Sequence, residues 1–279
     1  MTVKIVTDSV SDVTPQVAKE LGITLIPLNV RFGEEIYRDG IDLTSTQFYN
    51  KLTHSKTLPT TAVPPLSTFI EVYDKLAEET DKILVITVSH KLSGIYEAAL
   101  QAIELMKRKC QVEVVDSLLG CMAEGLIVIA AAKAVKAGAK LDEVVDITRN
   151  NIPRVDIRFA FDTLDYLKKG GRIGRAEAFL GSILKVSPIL TLKEGEVYPV
   201  ARERSRAKVI EDLHNFATSY SHIEAMAIED ATTPDDAEIL AERLGAKFPK
   251  ERIYRSKVSP VVGTHVGPHV LAISVLGEK

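Results

Sequence analysis

In the stretch 82–107, the run Ile83-Leu84-Val85-Ile86-Thr87-Val88 leads into Ser89-His90-Lys91-Leu92-Ser93-Gly94, and the residues beyond carry the spacing of a long helix. The first run is apolar almost without a break, as expected of a parallel strand covered by helices on both faces. Strand, short loop and helix in that order bring hydroxyl and backbone N–H groups to the carboxyl edge of an open sheet, where ligands bind. Ser93 stands where a helix N-cap is expected. Its hydroxyl and the next free N–H groups either cap their own helix or face a ligand oxygen at the positive end of the helix dipole. The local sequence leaves both roles open.

The alternation of strand and helix continues on either side. Residues 3–7 are predicted as a strand, Thr14 caps a helix that opens at Pro15, and residues 24–30 form the next strand. A short helix follows Asp42-Leu43-Thr44, and after the 59–65 segment another runs to about Glu79. Residues 111–115 read as a strand that passes through Asp116-Ser117 into a helix ending near Gly138, and residues 141–151 as one more helix. This is the grammar of a doubly wound, mostly parallel α/β sheet.

From about Asp156 the grammar changes. A strand at 157–161 and a short helix at 162–169, closed by Gly170-Gly171, precede a helix near 176–184. Residues 188–192 and 197–201 flank Glu194-Gly195 as a hairpin. Helix, strand, helix and strand follow, and residues 261–268 are read as a loop before a last strand at 270–275. The expected architecture is therefore α/β in two lobes: residues 1–155 with a parallel doubly wound sheet, and residues 156–279 as an α+β lobe with a mixed sheet.

Composition narrows the function classes. A chain of 279 residues with 46% hydrophobic residues has ample material for a core. A net charge of −3 without a Lys/Arg block argues against a nucleic-acid partner, which needs a concentrated basic face. Cys110 and Cys121 are the only cysteines, with no CxxC and no His at ligand spacing, so neither structural zinc nor disulfides are expected and a reducing cytoplasm fits. The first strand begins at once, leaving no room for a signal peptide. The longest apolar run, 126–132, is far short of the roughly 20 residues that span a bilayer.

Candidate chemistry lies in the loops. Asp8-Ser9, the 89–94 loop and Asp116-Ser117 share one sheet edge, and Thr60-Thr61, between Pro59 and Pro64, adds hydroxyls in a stiffened segment. Each alone reads as turn and cap chemistry; together they suggest a site. His265, among Gly263, Gly267 and Pro268, is read in a loop with no helical or strand face to bury it. His54, His214 and His222 look like surface or helix positions, and His90 and His269 neighbour better candidates. The Lys168-Lys169-Gly170-Gly171-Arg172-Ile173-Gly174-Arg175 run lacks the Walker A spacing and reads as a helix C-cap with solvated cations. Arg202 and Arg204 share a strand face, and one of them could reach a buried anion. There is no Gly-x-Ser-x-Gly elbow, HExxH or GxGxxG after a strand. Ser93, His265 and Asp8 can be drawn as a triad, but nothing local fixes its geometry.

The order of several short motifs carries a resemblance. Thr7-Asp8-Ser9, Leu92-Ser93-Gly94 with Tyr96, Asp116-Ser117, Asp162-Thr163-Leu164 through Gly174, and His265-Val266-Gly267-Pro268 together resemble the DegV family of bacterial fatty-acid-binding proteins over the whole chain. The chain departs from that pattern at Ala62-Val63 and Pro65, at Ile95 in place of a frequent Thr, and at His269 where Gly is common. The resemblance implies a two-lobed α/β fold with a ligand tunnel between the lobes. It implies a palmitate-like long-chain fatty acid whose carboxylate meets Thr61, Ser93 and the Gly94 N–H, with His265 nearby and Arg202 as a further contact.

No cofactor beyond the bound lipid and no metal is implied, nor any catalytic residue. Family members of the best-understood type present the carboxylate to an ATP-dependent fatty acid kinase, which phosphorylates it. The chain is thus expected to be a non-enzymatic cytoplasmic carrier, with membrane contact during lipid exchange left open. The alternative is a phosphotransferase or hydrolase acting through Ser93 or His265, on a fold similar to dihydroxyacetone-kinase-type domains. A third possibility is an interaction protein whose lipid is only structural.

Overall fold

The structure, a computed structural model, describes residues 2–180 and 186–279. β1 (Lys4–Asp8) is buried along its length after Lys4 and passes through a 3-10 turn to α1 (Pro15–Leu21), where the Thr14 hydroxyl accepts from Val17 N–H and Gly22 closes the helix at φ 70°. The predicted strand over 24–30 is in fact two, β2 (Ile23–Ile26) and β3 (Asn29–Phe32), in different sheets. Pro27 between them has no N–H to continue a ladder. β3 turns away to pair antiparallel with β4 (Glu35–Arg38) and, beyond α2 (Ser45–His54), with β5 (Thr60–Ala62). This small third sheet was not foreseen. The helix expected after Thr44 is α2, with Thr44 and Gln47 forming a capping box.

α3 (Leu66–Leu76), β6 (Lys82–Thr87), α4 (Ile95–Glu104) and β7 (Gln111–Asp116) complete the first α/β unit. Its sheet is parallel with order β2-β1-β6-β7. α3 and α4 pack together on one side of this unit, while α5 (Cys121–Lys136) and α6 (Leu141–Asn151) pack together and against its strands.

β8 (Val155–Ala160) opens the second sheet, followed by α7 (Asp165–Lys169) and a 3-10 turn at Gly174–Phe179. The helix expected near 176–184 is this turn as far as Phe179, and its remainder lies mostly outside the described residues. β9 (Ser187–Lys193) and β10 (Glu196–Glu203) form the expected hairpin, with Glu194 and Gly195 both at positive φ. α8 (Arg206–Thr218), β11 (His222–Asp230), α9 (Pro234–Leu244), β12 (Ile253–Lys257), α10 (Pro260–Val266) and β13 (Leu271–Glu278) follow. The sheet is mixed, in the order β10-β9-β8-β13-β11-β12.

α5 joins the two sheets. It packs against β1 and β6 on one hand and β8, β11 and β13 on the other. Buried residues cover every side of it from Cys121 to Ala132 save Ala130, as expected of a helix with no solvent face. The larger apolar core accordingly runs from Val3 to Leu276, and a second lies between α8, α9 and the mixed sheet. The β9–β10 hairpin closes the carboxyl edge of the parallel sheet: Ser89 Oγ donates to Gly195 C=O at 2.9 Å. Any Cβ at Gly195 would come within 2.6 Å of that hydroxyl, so the close approach needs glycine as well as its positive φ. Among the described residues, no helix is long and apolar enough to cross a membrane.

Candidate functional site

Most hydroxyls and carboxylates gathered at the sheet edge hold loops together. Asp8 accepts from Val10 N–H and Val88 N–H, both at 2.9 Å, although burial still pushes its carboxyl up to about 6. Ser9 Oγ accepts from Leu28 N–H at 3.1 Å, and Ser117 Oγ from Leu119 N–H at 3.1 Å. Asp116 accepts from Leu118 N–H and meets the His90 ring. Turn chemistry thus accounts for these motifs, and their service is to place the backbone of Val10, Val88 and Gly120 around a cavity.

That cavity lies between the parallel-sheet edge, the β9–β10 hairpin and α10, with about 710 Å³ outside the atoms, part of it open to solvent. Val10, Val88, Phe159, Phe161, Leu192 and Val197 are among its walls. Its polar lining is Thr61, Ser93, Cys121, Arg172 and His265, and no acidic side chain is among the described lining residues. Thr61, Arg172 and His265 also line a neighbouring cleft with Tyr166, Lys169 and Thr264. The donors therefore stand where an apolar cavity meets a polar opening.

Thr61 reaches this place because β5 pairs with β3, setting it opposite Val30. Its hydroxyl lies 2.9 Å from His265 Nε2. His265 is not in a loop, as the sequence suggested, but on the last turn of α10. The start and stop signals were present: Ser259 caps, Pro260 follows, and Gly267 at φ 76° ends the helix. The surrounding glycines disguised them. Burial, with the nearby Arg172 charge, lowers His265 to about 4, so the ring is neutral at pH 7. Its Nδ1 is buried without a partner. A Cβ at position 170 would come within 2.3 Å of Nδ1, so Gly170, beyond ending α7, leaves room for the imidazole.

Ser93 lines the cavity but does not cap α4. Gly94 occupies that position without a side-chain bond, and Ser93 N–H donates to Ser89 C=O at 3.1 Å in the preceding turn. The capping role is removed, and the Ser93 hydroxyl has no protein partner among the described residues. Gly94 itself is exposed and does not line the cavity. Arg202 stands apart as well, stacked 3.9 Å from the Phe179 ring centroid and donating to Ala178 C=O at 3.5 Å. The arginine at the cavity is Arg172, whose Nε donates to Leu92 C=O at 3.0 Å and Nη1 to Gly170 C=O at 2.6 Å. It comes from the run read as solvated cations, and no local signal distinguished it from its neighbours. His269 is engaged with Thr232. With Asp8 held by backbone N–H groups and His265 Nε2 by Thr61, the drawn Ser-His-Asp triad is not assembled.

Comparison with known proteins agrees with the motif order. The profile described as "Uncharacterised protein, DegV family" matches residues 2–278. A DegV domain-containing protein of Halalkalibacterium halodurans is 36% identical over 284 residues, covering 99% of each chain. Among solved structures, a fatty-acid-binding DegV family protein from Thermus thermophilus superposes with a TM-score of 0.91 at 32% identity, covering 99% of this chain and 100% of that one. DegV of Bacillus subtilis, a fatty acid binding protein, does so at 0.88 and 30%, covering 99% of each. From residue 2 to residue 278 the chain carries this profile, and it belongs to the DegV family.

Proposed function

We propose that this chain binds a palmitate-like long-chain fatty acid and presents its carboxylate to an ATP-dependent fatty acid kinase that forms the acyl phosphate. In this reading residues 1–155 and 156–279 act as two lobes of one unit, with the acyl tail in a tunnel between them. Thr61, Ser93 and His265 receive the head group, joined by Arg172. The protein is a cytoplasmic carrier, and the phosphoryl chemistry belongs to the partner.

One observation carries the reading: an apolar cavity whose polar lining is rich in hydrogen-bond donors and holds no acid, with Thr61, Arg172 and His265 shared with a polar cleft. A carboxylate taken from water needs several donors, and two hydroxyls, a guanidinium and an imidazole supply them. The tail supplies most of the affinity. At about 0.8 kcal/mol per buried CH₂, a palmitoyl chain gains on the order of 10 kcal/mol before the entropy of binding is subtracted. The fatty-acid-binding relatives from Thermus thermophilus and Bacillus subtilis support the same reading.

Native mass spectrometry of the purified chain tests it. A co-purified acyl chain is expected, replaceable by added oleate. A chain that stays empty and binds neither palmitate nor oleate would remove the proposal. ATP consumption with fatty acid should require a kinase partner; turnover by the isolated chain would favour an enzyme instead.

A further inference from the structure

A second polar centre lies at the start of α5, on residues the fatty-acid reading does not use as head-group ligands. Asp12 follows the first sheet's β1, Glu229 is next to last in the second sheet's β11, and Cys121 is the first residue of α5. One ligand atom from each, two carboxylate oxygens and Sγ, lie within 4.8 Å of one another, and all three residues are buried. Cys121 holds φ 55°, unusual for a residue other than glycine, while Met122 N–H donates to Glu229 Oε2 at 3.1 Å.

Asp12 and Glu229 can share one proton with each other, but apart from that Asp12 Oδ2 and Glu229 Oε1 meet no N–H or O–H donor among the described residues, and the hydroxyl of Tyr49, a residue only 4% exposed, is likewise buried without a partner. A fully buried set of acceptors without a cation must either stay protonated or hold a metal.

We propose that Asp12, Cys121 and Glu229 bind one divalent transition-metal ion, of the zinc type. The thiolate selects such an ion over magnesium or calcium. Bonds of about 2.0–2.3 Å require the donors to close by on the order of 1 Å, within the reach of side-chain rotation. The thiol proton and the protons held by the carboxyls leave to solvent as the metal enters. Asp12, Asp39 and Asp230 line a surface crevice that offers an entry path. Bound there, the ion ties together β11, the start of α5 and the turn after β1, joining the two sheets.

Cobalt(II) chloride titrated into the chelator-treated full chain tests this. One ion per chain and a thiolate-to-cobalt charge-transfer band are expected, lost in Cys121→Ser and kept in Cys110→Ser. Zinc at a hundredfold excess over its dissociation constant should raise the thermal midpoint by roughly 5 °C. Absence of the band, or its survival in Cys121→Ser, overturns the proposal. Should Cys121→Ser fail to fold, Glu229→Gln keeps it open to refutation. Its cobalt affinity should fall at least about tenfold with the native circular dichroism retained, and unchanged affinity overturns it.

Discussion

Two polar regions meet at the Gly120–Cys121 turn, and they have opposite chemistry. On the cavity side stand Thr61, Ser93, Arg172 and His265, all able to donate; beside α5 stand Asp12 and Glu229, and within it Glu124, built to accept. Both are enclosed by the same apolar core, so the low dielectric magnifies the difference. The first region favours an anion and holds its histidine neutral. The second favours protons or a cation. A single helix start links the two centres, with Gly120 lining the cavity and Cys121 both lining the cavity and joining the acid cluster.

The largest test concerns the apolar wall. Shortening the ligand from palmitate to laurate removes four methylenes, about 3 kcal/mol, and should weaken binding about two hundredfold by calorimetry. A flat dependence on chain length would mean that the cavity does not house the tail. Next, Thr61→Ala with Ser93→Ala removes two charge-assisted hydrogen bonds. The double variant should bind oleate about a hundredfold more weakly while its circular dichroism is unchanged. Unaltered affinity would take the head group away from this place.

The histidine gives a smaller, signed effect. In the ligand-free protein His265 is lowered to about 4, so its stability contribution is present above the unfolded value near 6.5 and is lost as pH falls toward 4. A carboxylate beside it favours the imidazolium, so the complex holds more protons than its parts. Fatty acid affinity should therefore rise severalfold from pH 8 to pH 6, and His265→Gln should flatten that slope.

On the acceptor side the sign reverses. Burial raises Asp39 to about 8, so its contribution is present below pH 4 and is lost as pH rises through 8. In chelator-treated protein, Asp39→Asn should reduce the loss of denaturant stability between pH 6 and pH 9. The smallest expectation is for Arg202→Ala. Because Arg202 stacks on Phe179 away from the cavity, ligand affinity should change less than about twofold. A large loss would draw Arg202 into the site and weaken the case for Arg172.

Local signals served well where a residue's role is settled by its neighbours in sequence. Thr14-Pro15, Asp42-Leu43-Thr44 and the Glu194-Gly195 turn declared their elements because caps and positive-φ turns are local devices. They failed where a glycine-rich context hid a short helix, as in α10, and where one residue of register decided a cap, as at Ser93 and Gly94. The small sheet escaped because β5 is three residues long and acquires strand geometry only by pairing with β3. Arg172 escaped because Lys168, Lys169 and Arg175 carry the same charge, and only the packing of α7 against α10 brings it to His265.

By itself, then, the sequence determined the α/β alternation, the change to a mixed sheet after β7, and the hydroxyl and imidazole candidates Thr61, Ser93 and His265. The first two follow from periodicity and caps, which act over a few residues, and the candidates from their loop placement and the order of motifs along the whole chain. Tertiary structure decided which of them share a cavity, that Arg172 rather than Arg202 stands there, and that Asp12, Cys121 and Glu229 converge though 217 residues separate the first from the last. Burial and mutual distance set that chemistry, and both exist only after α5 has been packed between the two sheets.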